Sequence, residues 1–136
     1  MIYKLNNKEY WLNKAKEETD LVLLDIKHIN PEKSKDLIGF SNEKELAFAK
    51  YLSDHNIPIW IRQVIIPGIT DSKEDLLELK NFISSLKTVK KVELLPYHNL
   101  GKHKWDTLGF EYKLKDVRTA NDEDIKIAKD ILGIYP

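Results

Sequence analysis

The chain contains no cysteine, and this absence excludes several kinds of chemistry from its 136 residues. Disulfides, thiolate nucleophiles and cysteine-bound metal clusters cannot form within it. Net charge is absent too, because 22 basic side chains balance 22 acidic ones, so no long-range field attracts nucleic acid or an anionic membrane. No apolar run approaches the roughly eighteen residues of a membrane span, and the opening residues MIYKLNNKEYW have no signal-peptide core. We therefore expect a cytoplasmic protein with neither nucleic acid nor a membrane as a partner.

The rest of the composition is that of an ordinary globular protein. Hydrophobic residues make up 42% and charged residues 32% of the chain, and a chain of this length can bury a core without disulfides or metals. No internal repeat, low-complexity tract or linker divides the sequence. We expect a single domain over residues 1–136.

Three apolar runs alternate with helical patterns. The runs lie near residues 21–27, 58–66 and 91–96 and are rich in the aliphatic residues of covered strands. This alternation is typical of parallel βαβ units, so it predicts an α/β fold with three parallel strands, adjacent in chain order and joined by right-handed crossovers. A less regular helical pattern covers residues 7–19. We expect that helix to cover the free edge of the first strand, or that edge to pair in a homodimer.

Capping residues mark the boundaries of the predicted helices. The predicted N-terminal caps are Asn30 before Pro31, Ser41, Asp71 in a capping box with Glu74, and Asn121 or Asp122; the predicted helix ends are Gly39 and Gly133.

Polar side chains occur near the ends of all three predicted strands. Asp25 and Lys27 share one face of the first strand, since side chains alternate along a strand. Arg62 interrupts the second apolar run, and His98 follows the third. The C-terminal ends of parallel strands converge on the functional site of a β/α sheet or barrel, so we expect these four groups to line one cavity. One acidic and three basic groups suit a ligand that carries an amine and a carboxylate or phosphate.

Each of these residues has a structural explanation when it is taken alone. Asp25 and Lys27 could form an ion pair. Arg62 could lie on an edge strand with its head in water, and His98 could be an ordinary loop residue. The coincidence favours a binding site, because buried charges are costly unless they are paired or used. From the residues themselves, only a polar ligand site follows.

Four segments resemble the C-terminal half of the pyruvate formate-lyase activating enzymes. They are TDLVLLDIKHINPEK, GFSNEKELAFAKYL, IPIWIRQVIIPGITD and VELLPYHNLGKHKWDTLGFEYKL, and LLPYHNLGKHKW is the most specific piece. The similarity runs from about Thr19 to Gly133. This family belongs to the radical S-adenosylmethionine superfamily, which is built on a partial (β/α)6 TIM-like barrel. The resemblance implies that the chain is the second half of such a barrel.

The resemblance also implies an activity for the full-length protein. The family uses a reduced 4Fe–4S cluster to cleave S-adenosylmethionine to methionine and a 5′-deoxyadenosyl radical, which takes a hydrogen atom from a glycine of the partner enzyme. The implied partners are pyruvate formate-lyase or a related glycyl-radical enzyme, and flavodoxin or ferredoxin as electron donor. The family's upstream Cys-x3-Cys-x2-Cys and Gly-Gly-Glu motifs have no counterpart here. We therefore expect this chain neither to bind the cluster nor to act alone.

Matching positions imply a set of ligand contacts. The implied cofactor contacts are Asp25, Ile26 and Lys27 at the methionine moiety, Arg62 as a second contact, Val64 and Leu95 beside the nucleoside, and His98 beside the adenosine. Asp25 also matches a contact to a monovalent cation. The implied substrate contacts are Tyr97, His103 and Trp105, in the loop nearest the entry of the partner's glycine segment.

Two other interpretations stay open. A class I aldolase-like barrel would use Lys27 as its Schiff-base amine, although it leaves LLPYHNLGKHKW unexplained. A non-catalytic docking module would bind a glycyl-radical enzyme without performing chemistry on it.

Overall fold

The computed structural model describes residues 21–99, 114 and 116–134. Within these residues the elements follow the order β1 (Val22–Ile26), α1 (Pro31–Ile38), α2 (Glu43–Asp54), β2 (Ile59–Ile65), α3 (Lys73–Ser84), β3 (Val89–Pro96) and α4 (Asp122–Leu132). The predicted alternation of strands and helices is confirmed. The predicted helix at 7–19, His103 and Trp105 lie outside the described residues. None of the described helices is long and apolar enough to cross a membrane.

The three strands form one parallel sheet in the order β1-β2-β3. Parallel direction and adjacency in chain order are therefore as predicted. The register places Asp25 opposite Arg62 and Arg62 opposite Glu93. One irregularity, between Ile59 and Trp60, shifts the pairing of β2 with β3 at the start of the strand.

One face of the sheet carries the hydrophobic core. Alternate residues of β2 point to this face, and Ile59, Ile61 and Ile65 are completely buried. Helices α2 and α3 cover them with Leu52 and Leu79, which belong to the same cluster. Burial of each such aliphatic side chain contributes roughly 1.5–3 kcal/mol to the stability of the fold. Because the helices occupy this face, the charged residues of the strands are left on the other one.

The ends of α1 and α4 agree with the sequence. The Asn30 side chain accepts hydrogen bonds from the first-turn amides of α1 at 3.0 Å, and Gly39 ends that helix with a φ of +83°. Asn121 and Asp124 form a reciprocal capping box at the start of α4, which ends at Gly133. The left-handed conformation at the two glycines favours a residue without a Cβ atom.

The predicted cap of α2 is wrong by one residue. The N-cap is Asn42 rather than Ser41, and the Asn42 side chain caps no backbone amide of its own helix. It donates instead to the carbonyl oxygens of His28 and Ile29, at 2.9 and 2.6 Å. The local contact comes from Ser41, whose hydroxyl accepts a hydrogen bond from the Glu43 amide at 3.3 Å, while Asn42 makes a tertiary contact to the segment after β1.

The predicted cap of α3 is also wrong by one residue. Ser72 is the N-cap, and its hydroxyl accepts a hydrogen bond from the Asp75 amide at 3.1 Å. Asp71 accepts from the Gly68 amide at 2.8 Å instead. Its carboxylate therefore closes the turn that precedes the helix. Aspartate is common both in such turns and at helix caps, because its side chain accepts hydrogen bonds from nearby backbone amides.

Candidate functional site

Charged side chains lie in register across the sheet face opposite the helices. Asp25, Arg62 and Glu93 occupy one level on the three strands. Arg62 Nε lies 3.5 Å from Asp25 Oδ1, and the two side chains are 34% and 51% exposed. Lys27 follows Asp25 by two residues and so returns to the same face. Both signs of charge therefore meet near the C-terminal end of the sheet.

The Arg62 guanidinium contains an unsatisfied donor. Its Nε atom is buried, and no atom of the described residues accepts a hydrogen bond from it. The 3.5 Å separation from Asp25 makes an ion pair, but it does not meet the geometry of a hydrogen bond. A buried donor without an acceptor costs about 1–3 kcal/mol, and more when it is charged. A ligand with an anionic oxygen at this position would supply the missing acceptor.

A concavity of about 400 Å³ opens at the C-terminal ends of the three strands. Residues that the sequence had marked border it, namely Asp25, Ile26, Lys27, Arg62, Val64, Leu95, Tyr97 and His98. The structure thus brings together the predicted cofactor contacts from all three strands. Further lining residues, which the sequence analysis did not single out, are Leu37, Ile38, Ile66, Pro96 and Leu114.

The lining divides into a charged side and an apolar side. Val64 and Leu95 are half-buried neighbours across β2 and β3, and the end of α1 adds Leu37. A mostly apolar concavity with a few convergent polar groups is the common form of a small-molecule site. This arrangement suits a ligand with a charged head and a flat apolar body.

Two lining residues have a different role from the others. Ile26 is 1% exposed and belongs to the main core cluster, so its side chain faces the helices. It can meet a ligand only through its backbone. Tyr97 is also buried, and its hydroxyl donates to the Leu114 carbonyl oxygen at 3.5 Å. Its backbone accepts from the Ala120 amide at 2.9 Å, so Tyr97 fastens the segment before α4 to the end of β3.

Glu45 is an ionisable residue near the site that the sequence analysis missed. It lies in the first turn of α2, where an acidic side chain ordinarily stabilises the helix through its dipole. Burial raises the pKa of Glu45; Lys27 opposes the rise through its charge and its backbone amide, and Asp25 adds to it. Its Oε2 atom is buried without a hydrogen-bond partner among the described residues. The first turn of α2 therefore adds a second acidic group beside Asp25 and Lys27.

A separate polar network lies beside the concavity. The buried His28 ring accepts from the Asn30 amide at Nδ1 and contacts the Ile69 carbonyl oxygen at 2.8 Å through Nε2. Since a carbonyl oxygen only accepts, these contacts define a neutral ring with its proton on Nε2. Asp75 Oδ2 lies 3.7 Å from that nitrogen and 2.6 Å from Lys33 Nζ. The network joins the end of β1 to the loop after β2.

Asp75 is the charged centre of this network. Burial alone would raise the pKa of Asp75, but hydrogen bonds from Lys33 and Ser72 and the positive charge of Lys33 outweigh it, so the pKa lies below its ordinary value. The carboxylate is thus ionised and paired. Because its polar groups are satisfied by one another, this network is a structural brace rather than a ligand site.

Two solved structures share the fold of this chain. A domain of pyruvate-formate lyase-activating enzyme from Bacteroides vulgatus ATCC 8482 matches with a TM-score of 0.76 and 19% identity, over 97% of this chain and 73% of that one. A radical SAM methyltransferase from Sphaerobacter thermophilus matches with a TM-score of 0.60 and 16% identity, over 91% of this chain and 34% of that one. At these identities the likeness shows the fold alone. The chain therefore shares the α/β fold of these two solved structures.

Curated relatives define the particular protein that the chain resembles. No family model matches it. The pyruvate formate-lyase-activating enzymes of Staphylococcus aureus strains USA300 and NCTC 8325 / PS 47 are each 53% identical over 112 residues, which are 82% of this chain and 45% of theirs. The resemblance to pyruvate formate-lyase-activating enzyme is thereby confirmed. The chain spans slightly less than half the length of these relatives.

Proposed function

We propose that this chain is the C-terminal part of a pyruvate formate-lyase-activating enzyme and that its concavity forms part of the S-adenosylmethionine site. The proposed activity of the whole protein is reductive cleavage of S-adenosylmethionine to place a glycyl radical on pyruvate formate-lyase or a related enzyme. The observation that carries the proposal is the unsatisfied, buried Nε of Arg62 in a concavity that also holds Asp25 and Lys27.

The lining residues fit the chemical groups of this cofactor. Its amino acid head carries one carboxylate and one ammonium group, so it needs both signs of charge close together. Lys27 and Arg62 would hold the carboxylate through charge-assisted hydrogen bonds, and Asp25 would face the ammonium group or a monovalent cation. Val64 and Leu95 would cover the nucleoside, with His98 at the rim. When bound, the cofactor supplies the sulfonium group whose reductive cleavage is the proposed chemistry.

The iron–sulfur cluster of the proposed activity does not fit this chain. Clusters of this type are held by cysteine thiolates, and the 136 residues contain none. The cluster would therefore be ligated outside them. We propose that this chain contributes cofactor and partner binding, and that it is inactive by itself.

Equilibrium binding of S-adenosylmethionine to the chain and its Arg62→Met variant tests the proposal. Methionine keeps an apolar stem but removes the guanidinium. A hydrogen bond to a charged group contributes about 1.5–3 kcal/mol, so we expect the dissociation constant to rise roughly ten- to hundredfold, and saturation at millimolar ligand to be lost.

Lys91→Met is the matched control for this measurement. Lys91 lies on the same sheet face, pairs in register with Trp60 and carries a side chain that is 52% exposed. Its Nζ atom lies over the Trp60 ring, 4.9 Å from the ring centroid, and the residue does not border the concavity. Its loss should leave the affinity unchanged. Equal weakening by the two substitutions would show that the loss is not specific to the concavity and would count against the proposed site.

A further inference from the structure

The chain just after β1 is held by side chains rather than by the strand ladder. The pairing of β1 with β2 ends at Ile26 opposite Gln63, one residue before Lys27. There the Gln63 side chain takes over, with Nε2 donating to the carbonyl oxygens of Lys27 at 3.3 Å and Val64 at 2.9 Å. Both neighbours are acceptors, so the amide must present its nitrogen to them.

Gln63 lies behind the site rather than in it. It is 3% exposed, and alternation places its side chain on the sheet face opposite Arg62. The two carbonyls that it bridges belong to Lys27 and Val64, which both line the concavity from different strands. One amide group therefore ties two lining positions together from the far side of the sheet.

Neighbouring side chains extend this support along the same segment. Asn42 donates to the carbonyls of His28 and Ile29, and Glu45 interacts with the backbone amide of Lys27. Lysine has a long side chain with several rotatable bonds, so its backbone is the part that the protein can fix in advance. The direction in which Lys27 leaves the sheet thus depends on groups that do not touch the concavity.

We infer that Gln63 is a positioning residue, which acts through Lys27 and holds it at the ligand site. The effect on ligand binding rests on the proposed function, but the effect on the backbone does not. Gln63→Leu removes the donor and keeps a buried side chain of similar length. Thr88→Val is the matched control, because the Thr88 hydroxyl also makes one buried bond to a carbonyl, that of Ile57 at 2.7 Å, at the opposite end of the sheet.

Amide hydrogen exchange measured by NMR tests the backbone effect. Gln63→Leu should speed exchange across residues 27–30 and shift the carbonyl resonances of Lys27 and Val64, while the centre of β2 stays protected. Thr88→Val should leave residues 27–30 unchanged. If Gln63→Leu leaves them unchanged as well, or if Thr88→Val loosens them equally, the inference is wrong.

A double-mutant cycle with S-adenosylmethionine tests the effect on binding. Gln63→Leu should weaken binding roughly threefold or more in the native chain and have no further effect beside Lys27→Ala, as expected for residues that act through one another. Equal weakening in both backgrounds would overturn the positioning role, because a purely structural loss does not depend on Lys27. If the native chain binds no S-adenosylmethionine, the proposed function fails, and hydrogen exchange alone decides whether Gln63 holds the segment.

Discussion

At the scale of single residues, the protein retains polar groups that folding alone does not satisfy. Arg62 Nε and Glu45 Oε2 are buried without hydrogen-bond partners among the described residues. Most buried polar atoms in folded proteins are paired, so each exception needs a reason. For Arg62, a bound anionic group is the reason proposed above. For Glu45, the pKa raised by burial indicates a carboxylate that is costly to keep ionised.

The substitution Glu45→Gln should increase the free energy of unfolding at pH 7. The folded-state pKa of Glu45 is raised, so the stability linked to its protonated form is present at low pH and lost as pH rises through that pKa. Glutamine keeps an acceptor for the Lys27 amide and removes the buried charge. Denaturant unfolding at pH 7 and below pH 4 should show a gain that disappears at the lower pH.

Glu43→Gln serves as the control for this substitution. Glu43 is an exposed acid in the same first turn of α2, so its loss removes the favourable helix-dipole interaction without removing a buried charge. It should slightly destabilise the protein at pH 7. A loss of stability in Glu45→Gln as large as that in Glu43→Gln would contradict our account of Glu45.

At the scale of residues, the sequence analysis identified the site residues whose charge is unusual at their position. Asp25, Lys27 and Arg62 are charged residues in or next to otherwise apolar strands, and the sequence itself shows this conflict. Gln63 and Glu45 show no such conflict. A glutamine beside β2's apolar residues and an acid in a helix's first turn are ordinary, and their partners lie 36 and 18 positions away in the chain. Only tertiary structure brings these residues to Lys27.

At the scale of elements, an ion pair stabilises the cap at the start of α4. Arg118 donates to both carboxylate oxygens of Asp124, at 2.6 and 2.7 Å. Asp124 also accepts from the Asn121 amide at 2.8 Å. These hydrogen bonds lower the pKa of Asp124 from 3.8 to about 2, with Arg118 as the largest cause. The cap therefore depends on an ionised carboxylate.

The contribution of Asp124 should disappear in acid. Its folded-state pKa is depressed, so the stability that it provides is complete above the unfolded value of 3.8 and is lost as pH falls towards 2. Unfolding free energies of the native chain and Asp124→Asn should differ most above pH 4 and converge near pH 2. Asp122→Asn is the control, because Asp122 is an exposed acid in the same turn, and it should change the unfolding free energy above pH 4 much less than Asp124→Asn does. A difference that persists undiminished at pH 2 would show that the carboxylate charge is not what matters.

Helix starts were predictable where the cap acts locally. Asn30 and Asn121 bond to amides two or three residues ahead, so the sequence around them contains the whole interaction. The predicted caps Ser41 and Asp71 were each one residue early, since Asn42 takes the N-cap position with its side chain bonded to distant carbonyl oxygens, and Asp71 bonds to an amide of the preceding turn. A short polar side chain offers the same atoms to several partners, and local pattern does not rank them.

At the scale of the whole molecule, the parallel sheet determines where the site can lie. Helices cover one face with the hydrophobic core, and the other face keeps the row Asp25, Arg62 and Glu93. The strand order and direction followed from the alternation of apolar runs and helical patterns. The apolar wall at Leu37 and Ile38 did not, because it depends on how the end of α1 turns towards the strand ends. The position of this apolar wall is set by packing between elements, which the periodicity of the sequence does not describe.

An NMR titration of the isotope-labelled chain with S-adenosylmethionine tests the central claim most directly. We predict saturable amide shifts confined to residues 25–27, 62–64 and 95–98, with a weak, millimolar-range affinity on the order of −4 kcal/mol, because this chain spans less than half the length of its relatives. S-adenosylhomocysteine, which lacks the sulfonium charge, should shift the same residues, since the charged and apolar contacts are retained. Shifts that cluster elsewhere, such as along α3 and α4, or no saturable shift at millimolar ligand, would contradict the assignment of this concavity.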